Sequence, residues 1–562
     1  MKRIVCCCMC AIALVVIASA QPRTPNAAAR GKAAADSQAL GRVVFPNSGA
    51  PAAQADFLRG VAWLHSFGYE DAIDAFRAAQ KIDPTFALAY WGEAMSFSQP
   101  LWFFEEVEKG RAALAKLGAN ADVRVAKAKT AREQGLLRAT EALFGAGDTA
   151  SRAAAYLKAM AALAAQHPAD DDIQTFHALA ILATLPRGDA SLPLRQQAGA
   201  IAEKVFARNP NHPGAAHYIL HAYDHGALAS KALPAARAYA KIAPAASHAL
   251  HMPAHAFLQV GLWDEAAASD QASWNASVAW AKRRGLTVAQ RDYHSLTWLQ
   301  YEWTQQGRFS KTREAIAFVN EALSASAKAT ARQHAPLSPE HAGGHGYGEG
   351  SEIGRGSSEA ALRNDRGSMR ARYIIESERW AEMKGQTTFD NIEELFALGL
   401  SAVNLGDAAR VRSVIDEFRK AAAPSQSAEL REQAEIMLRE MAALDLFARG
   451  RHAEAFALMD RATALQARMP KPIGRPFPVK GADELYGELL LQVGRAKEAI
   501  VWFERSLTRT PNRSRAVLGL ARAHRNAGDA VAARAAYKRF LSNFRLSDPG
   551  LQDVAEARAA VK

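Results

Sequence analysis

Cysteine is missing from all but the first ten residues of this chain: the four it has are Cys6, Cys7, Cys8 and Cys10. Disulfide staples, thiolate nucleophiles and cysteine-held metal are therefore excluded from everything that follows. A lipoprotein anchor needs a cysteine just after an apolar run, and here the cysteines lie in the run's first half. Long apolar stretches are nearly as scarce. Ile4 to Ile17 is the longest, preceded by Lys2 and Arg3 and followed by Ala18-Ser19-Ala20. A basic start, an apolar middle and small residues at the end form the secretory pattern. The run falls short of the roughly 20 residues a stable span needs. Residues 1–20 are thus expected to act as a signal peptide cleaved after Ala20. That sends a chain without a membrane span to the periplasm or beyond the cell.

Blocks of like charge are also lacking. The formal net charge is +12, but the basic residues are scattered. A solvated surface explains that distribution better than a nucleic-acid stripe does. No nucleophile elbow and no His-Glu-x-x-His motif occurs. The glycines near residue 345 follow neither Walker nor dinucleotide spacing. What is plentiful is alanine, leucine and arginine, which favours helix. At 562 residues the chain is too long for one compact core and wants several units or an array.

Repeats supply the array. Gly494, Ala499 and Phe503 recur as Gly528, Ala533 and Tyr537, each 34 residues on. A 34-residue period with this punctuation is the mark of tetratricopeptide (TPR) helical hairpins. Glycine permits the tight turn, alanine lets two helices approach, and the aromatic fills the gap to the next hairpin. Pro511 stops one helix where the next hairpin begins. The same grammar appears at Gly60, Trp63, Ala72, Phe76, Ala79 and Pro84, and again from Phe86 through Trp91 and Gly92. Looser copies lie at Gly261–Ala266, Gly307–Ala315 and Gly450–Ala455; Gly406 with Ala408 and Ala409 is a weaker match. The expected fold is an all-α TPR-type solenoid of about eight to eleven hairpins.

The expected division follows composition. Residues 21–50 read as a disordered leader, 51–332 as an N-terminal array and 333–366 as a glycine-rich loop. A C-terminal array over 367–545 and a tail over 546–562 complete the chain. The loop's His334, His341 and His345 are expected to be solvated.

Histidine clusters in the first array. His212-Pro-Gly-Ala-Ala-His217-Tyr-Ile-Leu-His221-Ala-Tyr-Asp224-His225 is followed by His248-Ala-Leu-His251-Met-Pro-Ala-His255. His217 with His221, and His251 with His255, are i,i+4 pairs, so each pair shares a helical face. The pairs are 34 residues apart, one TPR period. Counting from Gly261 as position 15 puts His248, His251 and His255 at positions 2, 5 and 9, on the concave face. Counting likewise from Gly307 puts His294 at position 2 of the next hairpin. Four imidazoles, His217, His221, His251 and His255, are therefore expected to converge, with His248 and His294 as further ligands. Neutral imidazole suits zinc, copper, nickel or iron; export tilts the choice toward copper or zinc. Asp224 or His225 can complete the shell or orient a ligand from behind. The competing readings are a structural polar network and direct capture of an anionic or peptide partner. His212, at a helix entry, is expected to be solvated.

Other concentrations have plainer readings. Trp91, Phe97, Trp102, Phe103 and Phe104 fit core and inter-hairpin packing. Asp170, Asp171 and Asp172 fit an acidic helix start.

These segments together resemble a family of exported bacterial TPR proteins. The resemblance rests on residues 212–224, Ala-Arg-Ala-Tyr-Ala-Lys-Ile-Ala-Pro at 236–244, His-Ala-Leu-His-Met-Pro-Ala-His at 248–255 and Gly-Leu-Trp-Asp-Glu at 261–265. It extends to Tyr90-Trp91-Gly92, Pro478-Val479-Lys480 and Glu484-Leu485-Tyr486-Gly487-Glu488, spanning about residues 45–545. Where such relatives read His-Pro-Leu-Trp, this chain has Gln99-Pro100-Leu101-Trp102, and its glycine-rich insertion is longer. The resemblance implies no settled activity. Three functions stay open: an exported TPR protein with a histidine metal site, a metal-free scaffold binding protein or peptide in its concave groove, and a histidine-ligated metalloenzyme. Binding ranks above catalysis, since no separate acid–base partner stands beside the histidines.

Overall fold

The computed structural model describes residues 39–102, 104–186, 188–330, 357–421 and 428–562. Over them the chain is an all-α solenoid of TPR-type hairpins. The first pairs Gln54–His65 with Tyr69–Ile82 and the last pairs Ser514–Asn526 with Ala530–Asn543. Among the described residues the only β pairing is two residues long, Ser98–Gln99 against Phe104–Glu105. Among the described residues, no helix is long and apolar enough to cross a membrane.

The turn glycines do what the period demanded. Gly261, Gly307, Gly406, Gly450, Gly494 and Gly528 all take left-handed φ, between 67° and 84°. Gly406, the poorest sequence match, is as regular as the others. The aromatic wedge is equally literal. A Cβ on Gly60 or Gly92 would lie 2.8 or 2.3 Å from the Phe76 ring. Gly487 and Gly519 flank Phe503 in the same way, at 2.9 and 2.3 Å. Helices can stack this closely because the aromatic occupies the space two side chains would need.

Three boundaries differ from expectation. Residues 39–50 are no loose leader: Leu40 and Phe45 are buried in the first core, and Arg42 N donates to Asn211 O at 2.8 Å. Apolar burial outweighs the polar composition there. The glycine-rich segment also ends early, because Glu359–Ser377 is a helix. Ser358 caps it by accepting from Ala361 N, and Leu362 and Met369 enter the core of the preceding hairpin. Third, the tail contains the helix Gln552–Val561, whose Val554 and Ala557 cover the last hairpin. The signal peptide, the rest of the leader and the histidines of the glycine-rich segment lie outside the described residues.

The two arrays are joined. Leu362 and Met369 pack with Leu296, Leu299 and Trp303. Further along, the C-terminal hairpins return to the middle of the chain. Asn512 Nδ2 donates to Gly261 O at 2.7 Å, Trp263 Nε1 to Asn512 O at 2.9 Å, and Ser514 Oγ to Gln305 O at 2.6 Å. Asp548 N donates to Gly307 O at 3.0 Å. These contacts frame the interior in which the histidines sit.

Candidate metal centre

Three consecutive inner helices carry the histidines: Pro213–Tyr223, Ser247–Gln259 and Tyr293–Gln305. Pro213 opens the first, where its missing N–H costs nothing. Each i,i+4 pair projects from one face as the spacing required. The pairs do not, however, merge into one four-histidine cluster. The six rings sort into two groups of three: His217, His221 and His248, then His251, His255 and His294. Each group takes positions 5 and 9 of one inner helix and position 2 of the next. Equivalent positions are one hairpin step apart, so the two pairs are neighbours, and His248 and His294 complete them.

The facing atoms are the Nε2 nitrogens. In the first triad His221 Nε2 lies 3.0 Å from His217 Nε2 and 3.4 Å from His248 Nε2. In the second, His251 Nε2 lies 2.9 Å from His255 Nε2 and 3.0 Å from His294 Nε2. An ion with bonds of about 2.0–2.1 Å sets its donors about 2.9 Å apart at right angles and about 3.3 Å apart in a tetrahedron. The observed separations span that range.

The opposite ring nitrogens explain why Nε2 faces inward. His217 Nδ1 meets the carbonyl of His65 at 2.6 Å. A carbonyl only accepts, so Nδ1 carries the proton and the neutral ring keeps a bare Nε2. His251 Nδ1 meets Asp270 Oδ1 at 2.5 Å, and His255 Nδ1 meets Asp224 Oδ2 at 3.0 Å. Gln259 Nε2 steadies Asp224 from the other side at 2.7 Å. Asp270 is itself backed by Glu302. Burial and the adjoining carboxylates push Asp270 well above its ordinary range, and burial pushes Glu302 up to about 8. Carboxyls raised this way favour the protonated form, and a proton on Asp270 Oδ2 leaves Oδ1 to accept from His251 Nδ1. Two bare Nε2 lone pairs, His251 and His255, then face each other at 2.9 Å.

Burial keeps the rings neutral. Desolvation brings His217 down to about 3, and desolvation with neighbouring imidazoles holds His221, His248 and His251 well below their usual value. Neutral rings are the form that binds metal. Aromatic side chains wall the site. Phe67 lies 4.3, 5.5 and 5.4 Å from His217, His221 and His248 between ring centroids, and Trp102 lies 5.6 Å from His248. Trp298 stacks on His255 at 4.2 Å. Of the aromatic concentration near the second hairpin, Trp91 is core, Trp102 serves this wall, Phe104 is exposed, and Phe103 lies outside the described residues.

A third group, His65, Asp172 and His212, is fully buried and has different logic. His212 Nδ1 accepts from Ala215 N at 3.2 Å, so its Nε2 carries the proton toward Asp172 Oδ1, 3.3 Å away. His65 Nε2 reaches the same oxygen at 2.9 Å, and its Nδ1 meets Tyr218 Oη at 3.1 Å. These atoms satisfy one another. Burial lowers His65 to about 4, and the two imidazoles keep Asp172 ionised. The hub fixes the end of Gln54–His65, whose last carbonyl orients His217.

Two expectations are therefore corrected. His212 is buried as a helix cap, because Asp172 supplies the partner that water would have been. Asp172 is a network acid, not merely a helix-start charge; Asp170 is the residue that caps, accepting from Ile173 N. His225 belongs to neither triad: its Nδ1 accepts from Ala227 N at 3.2 Å. Asp224 takes the orienting role foreseen for one of that pair.

Phe67 and Asp270 went unnoticed in the sequence. Phe67 sits where other hairpins carry their turn glycine, with φ of 57°. Gly68 N donates to Trp63 O at 2.9 Å, matching Leu262 N to Phe257 O after Gly261. A bulky residue in the left-handed region costs about 1–2 kcal/mol. Its ring is spent covering the first triad, so the strain lies at the candidate site.

No family model matches the sequence, and no curated protein matches it. Among solved structures, a tetratricopeptide repeat protein from Parabacteroides merdae ATCC 43184 aligns at 14% identity, covering 56% of this chain and 97% of its own, with a TM-score of 0.28. Yeast Tom70 aligns at 11% identity over 90% of this chain and 88% of its own, TM-score 0.27. A human IFIT1 dimer with m7Gppp-AAAA aligns at 10% identity over 92% and 94%, TM-score 0.30. Scores this low carry no argument about partners or path. The TPR character rests on the chain's own hairpins, turn glycines and aromatic wedges.

Proposed function

We propose that this chain is an exported TPR protein that binds divalent metal, copper or zinc before iron or nickel, at two three-histidine sites on its inner helices. The observation that carries the reading is the pair His251 and His255. Their Nδ1 atoms are held by acids and their Nε2 atoms point at each other 2.9 Å apart. Two lone pairs at that distance repel unless something electrophilic lies between them. His294 Nε2 lies 3.0 Å from His251 Nε2, and the Nε2 atoms of the first triad face one another at 3.0 and 3.4 Å. The sequence resemblance to exported bacterial TPR proteins and the amino-terminal signal pattern support the periplasmic or secreted placement.

The metalloenzyme reading gains from the ligand count. Three protein ligands leave a coordination position for water or substrate, as catalytic sites do, whereas structural sites close with four. The metal-free peptide scaffold is less supported at this site. His217 and His251 are fully buried, beneath aromatic rings, where no peptide reaches them. Partner binding elsewhere along the solenoid remains a separate proposal.

Elemental analysis of the chain purified from its native envelope tests the reading. Two ions per chain are expected. His217→Ala should lose one, His251→Ala the other, and the double variant both, with helicity by circular dichroism nearly unchanged. Unchanged metal content in the double variant refutes the proposed ligands.

A further inference from the structure

The two triads repeat one module along the solenoid, and they share a helix. Ser247–Gln259 gives His248 to the first triad and His251 and His255 to the second. His248 and His251 stand one helical turn apart, with ring centroids at 6.4 Å.

The chain's own acids do not bridge the gap. Asp224 and Asp270 meet the Nδ1 sides of His255 and His251, behind the rings and turned from the Nε2 atoms. Each triad supplies three neutral donors and no anionic one, so each ion keeps an open position and most of its charge. Phe67 and Trp102 wall the first triad and Trp298 the second, and apolar walls favour a small ligand over a large hydrated one. The two open positions thus flank one shared helix a single turn apart, which suits a short molecule with a donor atom at each end.

We infer that the two triads form a single binuclear centre that takes one small two-ended anionic donor ligand, of the azide type, as a bridge between its ions. The inference rests on metal binding at both triads, and it adds that the sites act as one. No bond within the ligand need break, and no electron need move, for the bridge to form: each ion exchanges a water for one end of the ligand.

Azide and the full mature chain loaded with copper(II) provide the test. Metal content is measured first. Two ions are expected, and binding of none removes the metal reading itself. Binding of one only leaves that reading standing at a single triad and overturns the binuclear centre. With two bound, azide followed by its charge-transfer absorption should saturate at one azide per copper pair. The integrated copper paramagnetic-resonance signal should fall as the bridge couples the two spins. Saturation at two azides with an undiminished signal overturns the inference while leaving metal binding intact. His294→Ala, checked for folding by circular dichroism, should still bind a copper in the first triad but take azide at least about tenfold more weakly.

Discussion

The first and second triads are the same three positions of the same repeat, yet they are held from behind by different chemistry. In the first, His217 is fixed by a backbone carbonyl and roofed by Phe67, while Trp102 stands edge-on to His221. In the second, His251 and His255 are fixed by Asp270 and Asp224, and Trp298 stacks alongside. A carboxylate behind an imidazole raises its basicity and offsets an ion's charge; a carbonyl only sets the ring's angle. Repeat architecture therefore decides where the imidazoles stand, and the groups behind them decide how strongly each triad would attract a cation. The second triad is expected to fill first.

Asp270→Asn should break the comparison most sharply. It replaces the buried acid behind His251 with an amide, which can turn its NH2 toward Nδ1 and upset the ring's tautomer, and should weaken the second site by about ten- to a hundredfold while leaving the first unchanged. Competitive titration with a metal chelator measures both, and equal weakening of the two sites would contradict the assignment. No corresponding substitution exists for the first triad, because its orienting group is the main chain.

Phe67→Gly probes the first triad alone. Losing a buried phenylalanine costs about 3–5 kcal/mol, and relief of the left-handed strain returns about 1–2 kcal/mol. A net loss of about 2 kcal/mol in denaturant stability is expected. A gain in stability would mean that strain, not packing, dominates at this turn.

The smallest and most general effect is pH dependence of the metal-free protein. His65 and His217 are depressed to about 4 and about 3, and His221, His248 and His251 also lie well below 6.5. Between those values and 6.5 these histidines bind more protons unfolded than folded, so their contribution to stability rises with pH in that window and levels off above it, while Asp270 and Glu302, both pushed up, contribute in the opposite sense. Each imidazole held neutral contributes at most about 1.4 kcal/mol per pH unit. Following the histidine ring signals by NMR between pH 4.5 and 7.5 checks this, and rings that take up a proton near 6.5 would mean that they are not held neutral.

Much of this was legible in the sequence. The i,i+4 spacing fixed the two histidine pairs, and the 34-residue offset placed them on neighbouring inner helices. Counting from the turn glycines brought in His248 and His294. What spacing did not show was the grouping, because a shared face on stacked helices is not a shared point. The orienting groups were hidden for a different reason. His65 and Asp172 come from helices far away in the chain, and Asp270 from the outer helix of its own hairpin, so no period relates them to the ligands. Phe67 left a faint trace, an aromatic directly before Gly68 where glycine is the rule.

The grip of Asn512, Ser514 and Asp548 on the chain's midpoint bears on how the molecule comes apart. An open-ended repeat array can fray from either terminus, one unit at a time. Here the spiral is buckled like a belt, and the helices bearing His251, His255 and His294 lie under the buckle. Melting of the last hairpins should loosen the interior at once, so that a clipped C-terminus is felt as lost metal before it is felt as lost helix.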